Sequence, residues 1–374
     1  MIFSIIFVIG AIHGVALAVL LSVKKVNQLS NRILGALMLV FSIDLFMAAF
    51  SNAGLQTEYP HLIGLDMPIT LLYAPLLFLY AETLTRGGKH LNRYELIHFV
   101  PAVLLLIYTI PFYLMPAEDK LATLTENGNP DYGPEFLTHF KLIFNLLYIP
   151  FILSILRKYR KQIRDSYSTI EKRNLDWLQT FLVAFLILAV VSVVIHLMNF
   201  FSGALDTYAN FMLLSVTIFV YSIGYIGLSR AEFFTSTEAD IDKIETGNES
   251  NQYSKSGLKE ETGKELMEKL RNTMEADKPY LNSELSLRDL AGIMDITPHN
   301  LTEIINRFAE MNFYDFVNGY RVDEVKRRIE SGDYELMTLL AIGLDSGFNS
   351  KSSFNSVFKK HTGLTPTQFK KSLN

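Results

Sequence analysis

The chain has 374 residues, of which 49% are hydrophobic and only 19% charged, with a net charge of −4. It contains no cysteine, which excludes a disulfide framework, a cysteine nucleophile and thiolate metal sites. The averages conceal a division: residues 1–229 carry 15 basic and 14 acidic groups, 230–262 carry 4 and 8, and 263–374 carry 15 and 16.

A helix needs roughly 20 mainly apolar residues to cross the hydrocarbon of a bilayer. Such runs occur at 2–23, 33–51, 62–84, 95–115, 137–157, 176–201 and 208–229, so the sequence predicts seven spans. The third is interrupted by Asp66, Pro68 and Pro75, which a membrane helix tolerates when its neighbours satisfy the freed carbonyls. Loop charge tests the count. The odd-numbered loops hold thirteen basic residues, among them Lys24, Arg86, Arg157 and Arg164, whereas the even-numbered loops hold one, Lys120. Positive loops stay in the cytoplasm. The N-terminus is therefore expected outside and the C-terminal third inside. The first span lacks a basic leader and a clear small-residue cleavage site, and so reads as an uncleaved anchor.

Ionisable groups inside spans are expensive and mark candidate function. Asp44 and His13 fall near mid-depth, Asp66, His139 and His196 toward the outer ends, and Glu82 and His98 near the cytoplasmic ends. Asp44, Asp66 and His196 are the candidate groups for sensing a signal, aided by Tyr73 and Tyr208. Glu82 and His98 read instead as interhelical or interfacial side chains. The small residues Gly10, Gly14 and Ala18 predict close packing within the bundle. No lysine stands in 208–229 for a retinal Schiff base, and there is no HExxH, GxxxxGK[ST] or GxGxxG. Neither an enzyme, a metal site nor a cofactor is expected.

Residues 230–262 are polar and acidic and read as a flexible linker. Beyond them the pattern becomes that of short amphipathic helices. Leu266, Leu270 and Met274 line an opening helix that stops before Pro279. Ser286 caps a helix carrying Leu287, Leu290, Ala291 and Met294. After Asp295-Ile296-Thr297, Thr297 caps a further helix with Pro298 at its first position, and Leu301, Ile304, Ile305 and Phe308 form its inner face. Helix, three-residue turn, helix is the helix-turn-helix layout. It recurs after a connecting helix, Phe313 to Ile329, whose expected core is Phe316, Val317, Tyr320, Val325 and Ile329. The second unit runs from Met337–Asp345 through Ser346-Gly347-Phe348-Asn349 to a helix from Lys351 to His361 capped by Ser350. From Lys351 onward there are five lysines and no acid, a basic end suited to phosphate.

The stretch Lys278-Pro279-Tyr280-Leu281, Leu287, Leu290-Ala291 and Asn312-Phe313-Tyr314-Asp315-Phe316-Val317-Asn318 resembles AraC-type regulators. Gly347-Phe348-Asn349-Ser350-Lys351, Phe354, Phe358-Lys359-Lys360 and Gly363-Leu364-Thr365-Pro366 resemble the signature half of that family, about 100 residues in all. Pro75 to Tyr80 and His98 to Pro101 resemble its multi-pass membrane members. Gly343 departs from the family's usual alanine, and in a helix interior predicts a loss of about 1 kcal/mol. The resemblance implies two recognition helices entering successive major-groove segments. One exposes His299, Asn300, Thr302, Glu303, Asn306 and Arg307; the other exposes Lys351, Ser352, Ser353, Asn355, Ser356 and Lys359, with Ser350 at its start. Asn300, Asn306 and Asn355 suit adenine and Arg307 guanine, while Lys351, Lys359 and the amides capped by Ser350 suit phosphate.

The fold expected is all-α: a seven-helix transmembrane bundle over 1–229, a linker over 230–262, and an AraC-type double helix-turn-helix domain over 263–374. The function expected is a one-component regulator in a bacterial cytoplasmic membrane, coupling a signal molecule to promoter DNA. The lipid bilayer, a second copy of the chain and RNA polymerase complete the expected partners. The rival is a transporter or channel whose cytoplasmic helical domain binds a protein or a regulatory ligand.

Overall fold

The computed structural model describes residues 2–25, 27–86, 91–124, 136–170, 213–222 and 259–373, with isolated positions between 175 and 226. Every regular element among the described residues is a helix. The chain divides into two compact units, one of Met1–Arg157 with Leu175–Ile241, the other of Lys158–Asn174 with Asp242–Asn374.

The first unit contains α1 (Ile2–Val23), α2 (Gln28–Asn52), α3 (Tyr73–Arg86), α4 (Val100–Tyr113), α5 (Ala117–Ala122) and the greater part of α6 (Phe136–Ser166). Four helical stretches are long and apolar enough to cross a membrane: Ile2–Val23, Gln28–Asn52, Arg93–Tyr113 and Phe140–Ser166. They coincide with the first, second, fourth and fifth expected spans. The third is shorter than expected. Its α-helix has 14 residues, preceded by 3-10 turns at Pro60–Leu62 and Ile69–Leu72. Proline lacks the amide and crowds the carbonyl four residues back, so α3 begins only where Pro75 falls within its first turn. The sixth expected span lies largely outside the described residues, and Leu213–Ser222 is the described part of the seventh.

Packing of α1 on α2 accounts for the small residues. A Cβ at Gly14 would strike Ser42 Oγ and come within 3.2 Å of the Met38 carbonyl, and one at Gly35 would lie 3.1 Å from the Ala18 carbonyl. These residues let two backbones approach within the unit. Outward, Val103, Leu104, Ile107 and Tyr108 on α4 are exposed, as are Ile5, Ile9 and Ile12 on α1.

The second unit contains α7 (Glu260–Ala276), α8 (Leu287–Met294), α9 (Pro298–Ile304), α10 (Phe313–Glu330), α11 (Leu339–Asp345), α12 (Lys351–Thr362) and α13 (Pro366–Ser372). Side-chain caps start six of them: Ser286, Thr297, Asn312, Thr338, Ser350 and Thr365 each accept a bond from a backbone amide of the first turn, satisfying donors that no carbonyl can reach. Two apolar cores result. One gathers Leu270, Met274, Leu290, Leu301, Ile304 and Val317; the other gathers Val325, Ile342, Phe348, Phe354, Val357 and Phe358. The spine α10 feeds both. Of its expected core, Phe316, Val317, Val325 and Ile329 are buried, while Tyr320 is only partly so, its ring stacked on Tyr280 at 5.7 Å.

Gly343 requires a correction. A Cβ there would lie 2.8–2.9 Å from three ring carbons of Phe354. The glycine is a contact surface for an aromatic ring, so alanine's helix propensity is not the deciding quantity.

Candidate nucleic-acid interface

Both helix-turn-helix units form as expected. In the first, α8 ends at Asp295, held in the left-handed region at φ 57°, and α9 starts after Thr297. Beyond α9, Ile305–Ala309 make a π-helical turn, which widens the helix while Ile304 and Ile305 stay fully buried. In the second, Gly347 takes φ 96° between α11 and α12. Any side chain there would strike the Tyr280 carbonyl as well as the Arg321 guanidinium, so this turn needs glycine twice over.

The candidate reading residues divide by burial. His299, Asn306, Arg307, Lys351, Ser352, Ser356 and Lys359 are exposed, and Asn300, Thr302, Glu303, Ser350 and Asn355 are half-buried. Ser353, expected at the surface, is buried at 7% exposure. Helical periodicity explains this: 353, 354, 357 and 358 share the inward face, and the Ser353 amide donates to the capping Ser350 Oγ at 3.1 Å. The Thr302 hydroxyl donates to the Pro298 carbonyl at 3.0 Å. Glu303 stands 4.0 Å from Arg307, one turn apart. An arginine that reads a base must give up that exposed pair, which is weak in water.

The charge on α12 and α13 is not all available. Lys360 bonds Asp315 of α10 at 2.6 Å, and Lys370 sits 3.8 Å over the Tyr334 ring. Lys351 and Lys359 are exposed, with no ion pair among the described residues, and are the cations of α12 left facing solvent. Burial works against ionisation of Asp315. Lys360, Asn312 and Arg164 outweigh it and hold the carboxyl below its usual range. Next along α12, burial first and Lys360 second push the His361 imidazole down.

In the first unit Asp44 faces Tyr73; Asp66 acts on both, and Lys141 acts on Asp44 and Asp66. Lys141 escaped the sequence reading, although a lysine inside the fifth span was as legible as Asp44. His196, Tyr208 and the side chain of His139 lie outside the described residues. The His13 ring stacks on Tyr221 at 4.7 Å, His98 shares a 2.9 Å hydrogen bond with Tyr148, and Glu82 pairs with Arg86 at 2.8 Å. A small apolar cavity beside this cluster is lined by Phe41, Tyr73, Asn145, Ile149 and Phe219.

Two further residues of the second unit were given no role of their own in the sequence reading. Arg321 and Asn318 on α10 are each 1% exposed. Arg321 donates to the carbonyls of Tyr280 and Asn282, each at 2.8 Å. A charged residue on a helix reads as solvent-facing, and only the number of oxygens converging here explains its burial.

Residues 290–372 match the family model described as a helix-turn-helix domain. Over 87 residues the chain is 26% identical to the melibiose operon regulatory protein of Escherichia coli K12, and equally to its namesake in the O6:H1 strain CFT073. That stretch is 23% of this chain and 28% of each relative, so the chain spans under a third of the curated relatives it matches. No solved structure matches it. The second unit carries a helix-turn-helix domain of the kind found in a transcriptional regulator.

Proposed function

We propose that this protein is a membrane-embedded, one-component transcriptional regulator. The observation that carries the DNA reading is the paired arrangement of α9 and α12: each follows a tight turn, each exposes polar side chains along one face, and α12 carries Lys351 and Lys359 exposed, with no ion pair among the described residues. Two such helices on one spine suit successive major-groove segments. Lys351, Lys359 and the amides at the start of α12 hold phosphate, and Asn300, Asn306, Asn355 and Arg307 meet base edges.

The membrane reading is supported by four spanning-length apolar helices, by the large aliphatic side chains exposed on α1 and α4, and by the thirteen-to-one distribution of basic residues between odd and even loops. A water-exposed surface of that character would aggregate. We place seven spans over 1–229, the N-terminus outside, and the DNA-binding domain on the cytoplasmic side. Asp44, Asp66 and Lys141 form the part of the bundle best suited to recognise a signal, and binding there shifts the bundle between two packings.

The test is chromatin capture of the intact protein carrying a C-terminal tag, with protease mapping of that tag. Enriched promoter fragments whose binding falls with salt, together with a tag protected in intact cells, are the expected results. A tag cleaved from outside the cell refutes the reading.

A further inference from the structure

The last turns of α6 and the residues after it belong to the second unit, and they are fixed there by hydrogen bonds on two sides. Tyr167 pairs antiparallel with Ser286. The Ser168 amide and hydroxyl both donate to the Leu285 carbonyl, at 3.2 and 2.6 Å. The Thr169 hydroxyl donates to the Ser283 carbonyl at 2.6 Å. From the opposite side, Arg321 Nη1 and Asn318 Nδ2 each donate to the Ser168 carbonyl at 3.1 Å, and Arg321 Nη2 donates to Ser168 Oγ at 3.0 Å. Ser168 and Thr169 are 1% and 4% exposed. Ile170 packs against the core of the second helix-turn-helix unit, and the Arg164 guanidinium lies 5.7 Å over the Tyr314 ring.

The position of this seat matters. The same guanidinium holds Tyr280 and Asn282, which lead into α8, and lies against Gly347, the turn before α12. The seat is therefore the seam between the two helix-turn-helix units. Buried carbonyls and a buried guanidinium that lose these partners pay the full desolvation penalty, so removing the strap loosens the seam.

We infer that Tyr167–Ile170 is an intrachain ligand of the second unit, bound by Arg321, Asn318 and the 283–286 edge, and that its seating sets the relative placement of the two recognition helices. Because α6 runs without a break from Phe136 to Ser166, the strap is the continuation of a helix that begins in the first unit. Rotation or sliding of α6 is delivered to the seam through it. The DNA-binding part of this inference rests on the function proposed above; the seating itself does not.

Full-length protein in lipid nanodiscs provides the test. The chain has no cysteine of its own, so Thr169→Cys with Glu284→Cys introduces a single pair. These positions stand opposite each other if the Tyr167–Ser286 register continues, at the spacing of about 5 Å that antiparallel neighbours take and a disulfide bridges. Mild oxidation followed by peptide mapping is expected to find the crosslink in most molecules; its absence overturns the seat. In parallel, Ser168→Ala with Thr169→Ala removes both hydroxyls without adding bulk. Amide exchange at 281–286 and 318–322 is expected to rise, and affinity for a duplex selected by the wild type from a random pool to fall, each about tenfold. Affinity for either half of that duplex alone stays unchanged. Thr169→Ser, which keeps its hydroxyl, behaves as wild type. Unaltered exchange and affinity in the double alanine variant overturn the inference. A wild type that selects no duplex refutes the DNA reading instead, and the crosslink and exchange then decide the seat without it.

Discussion

Replacing Gly343 by alanine sets two effects against each other whose signs differ. In a helix interior the change is worth about 1 kcal/mol in favour of alanine. Against it stands the ring of Phe354, whose Cγ, Cδ1 and Cδ2 would lie 2.8–2.9 Å from the new methyl. Carbon atoms settle at about 3.5–4.0 Å, so the ring must retreat by roughly 0.7 Å. It has nowhere easy to go: Phe354 is 2% exposed and wedged between Phe348 and Phe358, with centroids at 5.5 and 6.0 Å. Overpacking of this kind costs about 1–3 kcal/mol, so the net expectation is a loss of about 0–2 kcal/mol, with alanine never stabilising. Native-state hydrogen exchange on the intact chain, read at α11 and α12 amides, measures it locally. Trimming the ring with Phe354→Leu should make the two changes less than additive by about 1 kcal/mol in a double-mutant cycle. Slower exchange in Gly343→Ala alone would refute the packing argument.

The remaining expectations concern the nucleic-acid face and its acid sensitivity. Lys351→Ala and Lys359→Ala should each weaken binding to every duplex alike and reduce the slope of log affinity against log salt by about 0.9; an unchanged slope removes that lysine from the phosphate contacts. Ser353→Ala should leave DNA affinity unaltered, because its side chain faces inward, and a specific loss at one base position would contradict the burial. The folded domain holds Asp315 below its usual pKa, so its contribution is complete above the unfolded value of about 3.9 and fades as pH falls through the folded one. Asp315→Asn should flatten acid unfolding in that range. His361 is also held down, so its contribution is complete above about pH 6.5 and declines below it. His361→Gln should make stability less dependent on pH in that higher window, as followed by urea midpoints across a pH series.

What could be read directly from the residues was whatever local chemistry encodes. Ser286, Thr297 and Ser350 announce helix starts because a hydroxyl before an apolar-periodic run has one good use. Leu290, Ile304 and Val325 declare their inward face by spacing alone. The two turns were legible from Asp295-Ile296-Thr297 and from Gly347. Failure came where distant segments meet. Nothing around Gly343 reveals that Phe354 will press on it, and Ser353 lies one residue from positions that are exposed. Arg321 looks like any charged residue on a helix, and Ser168-Thr169 like any polar loop; each is intelligible only beside the other. Lys141 was a different kind of omission, since its placement inside an apolar run was already a sufficient signal.

The seat of the strap also imposes an order on synthesis. Ser168 and Arg321 are separated by 153 positions. At a ribosomal pace of about 5–20 residues per second, roughly 8–30 s pass between the emergence of the one and the other. Until Ser283 and Leu285 emerge, the serine and threonine hydroxyls have only water or provisional neighbours, and the Ser168 carbonyl waits longer still for Arg321. The helices of the last domain each carry their own start signal and gain structure quickly once made, but closing so long a loop is entropically late. Maturation of this protein therefore waits until a late-made helix captures an older part of the chain, and on the inference above α9 and α12 take their fixed spacing only then.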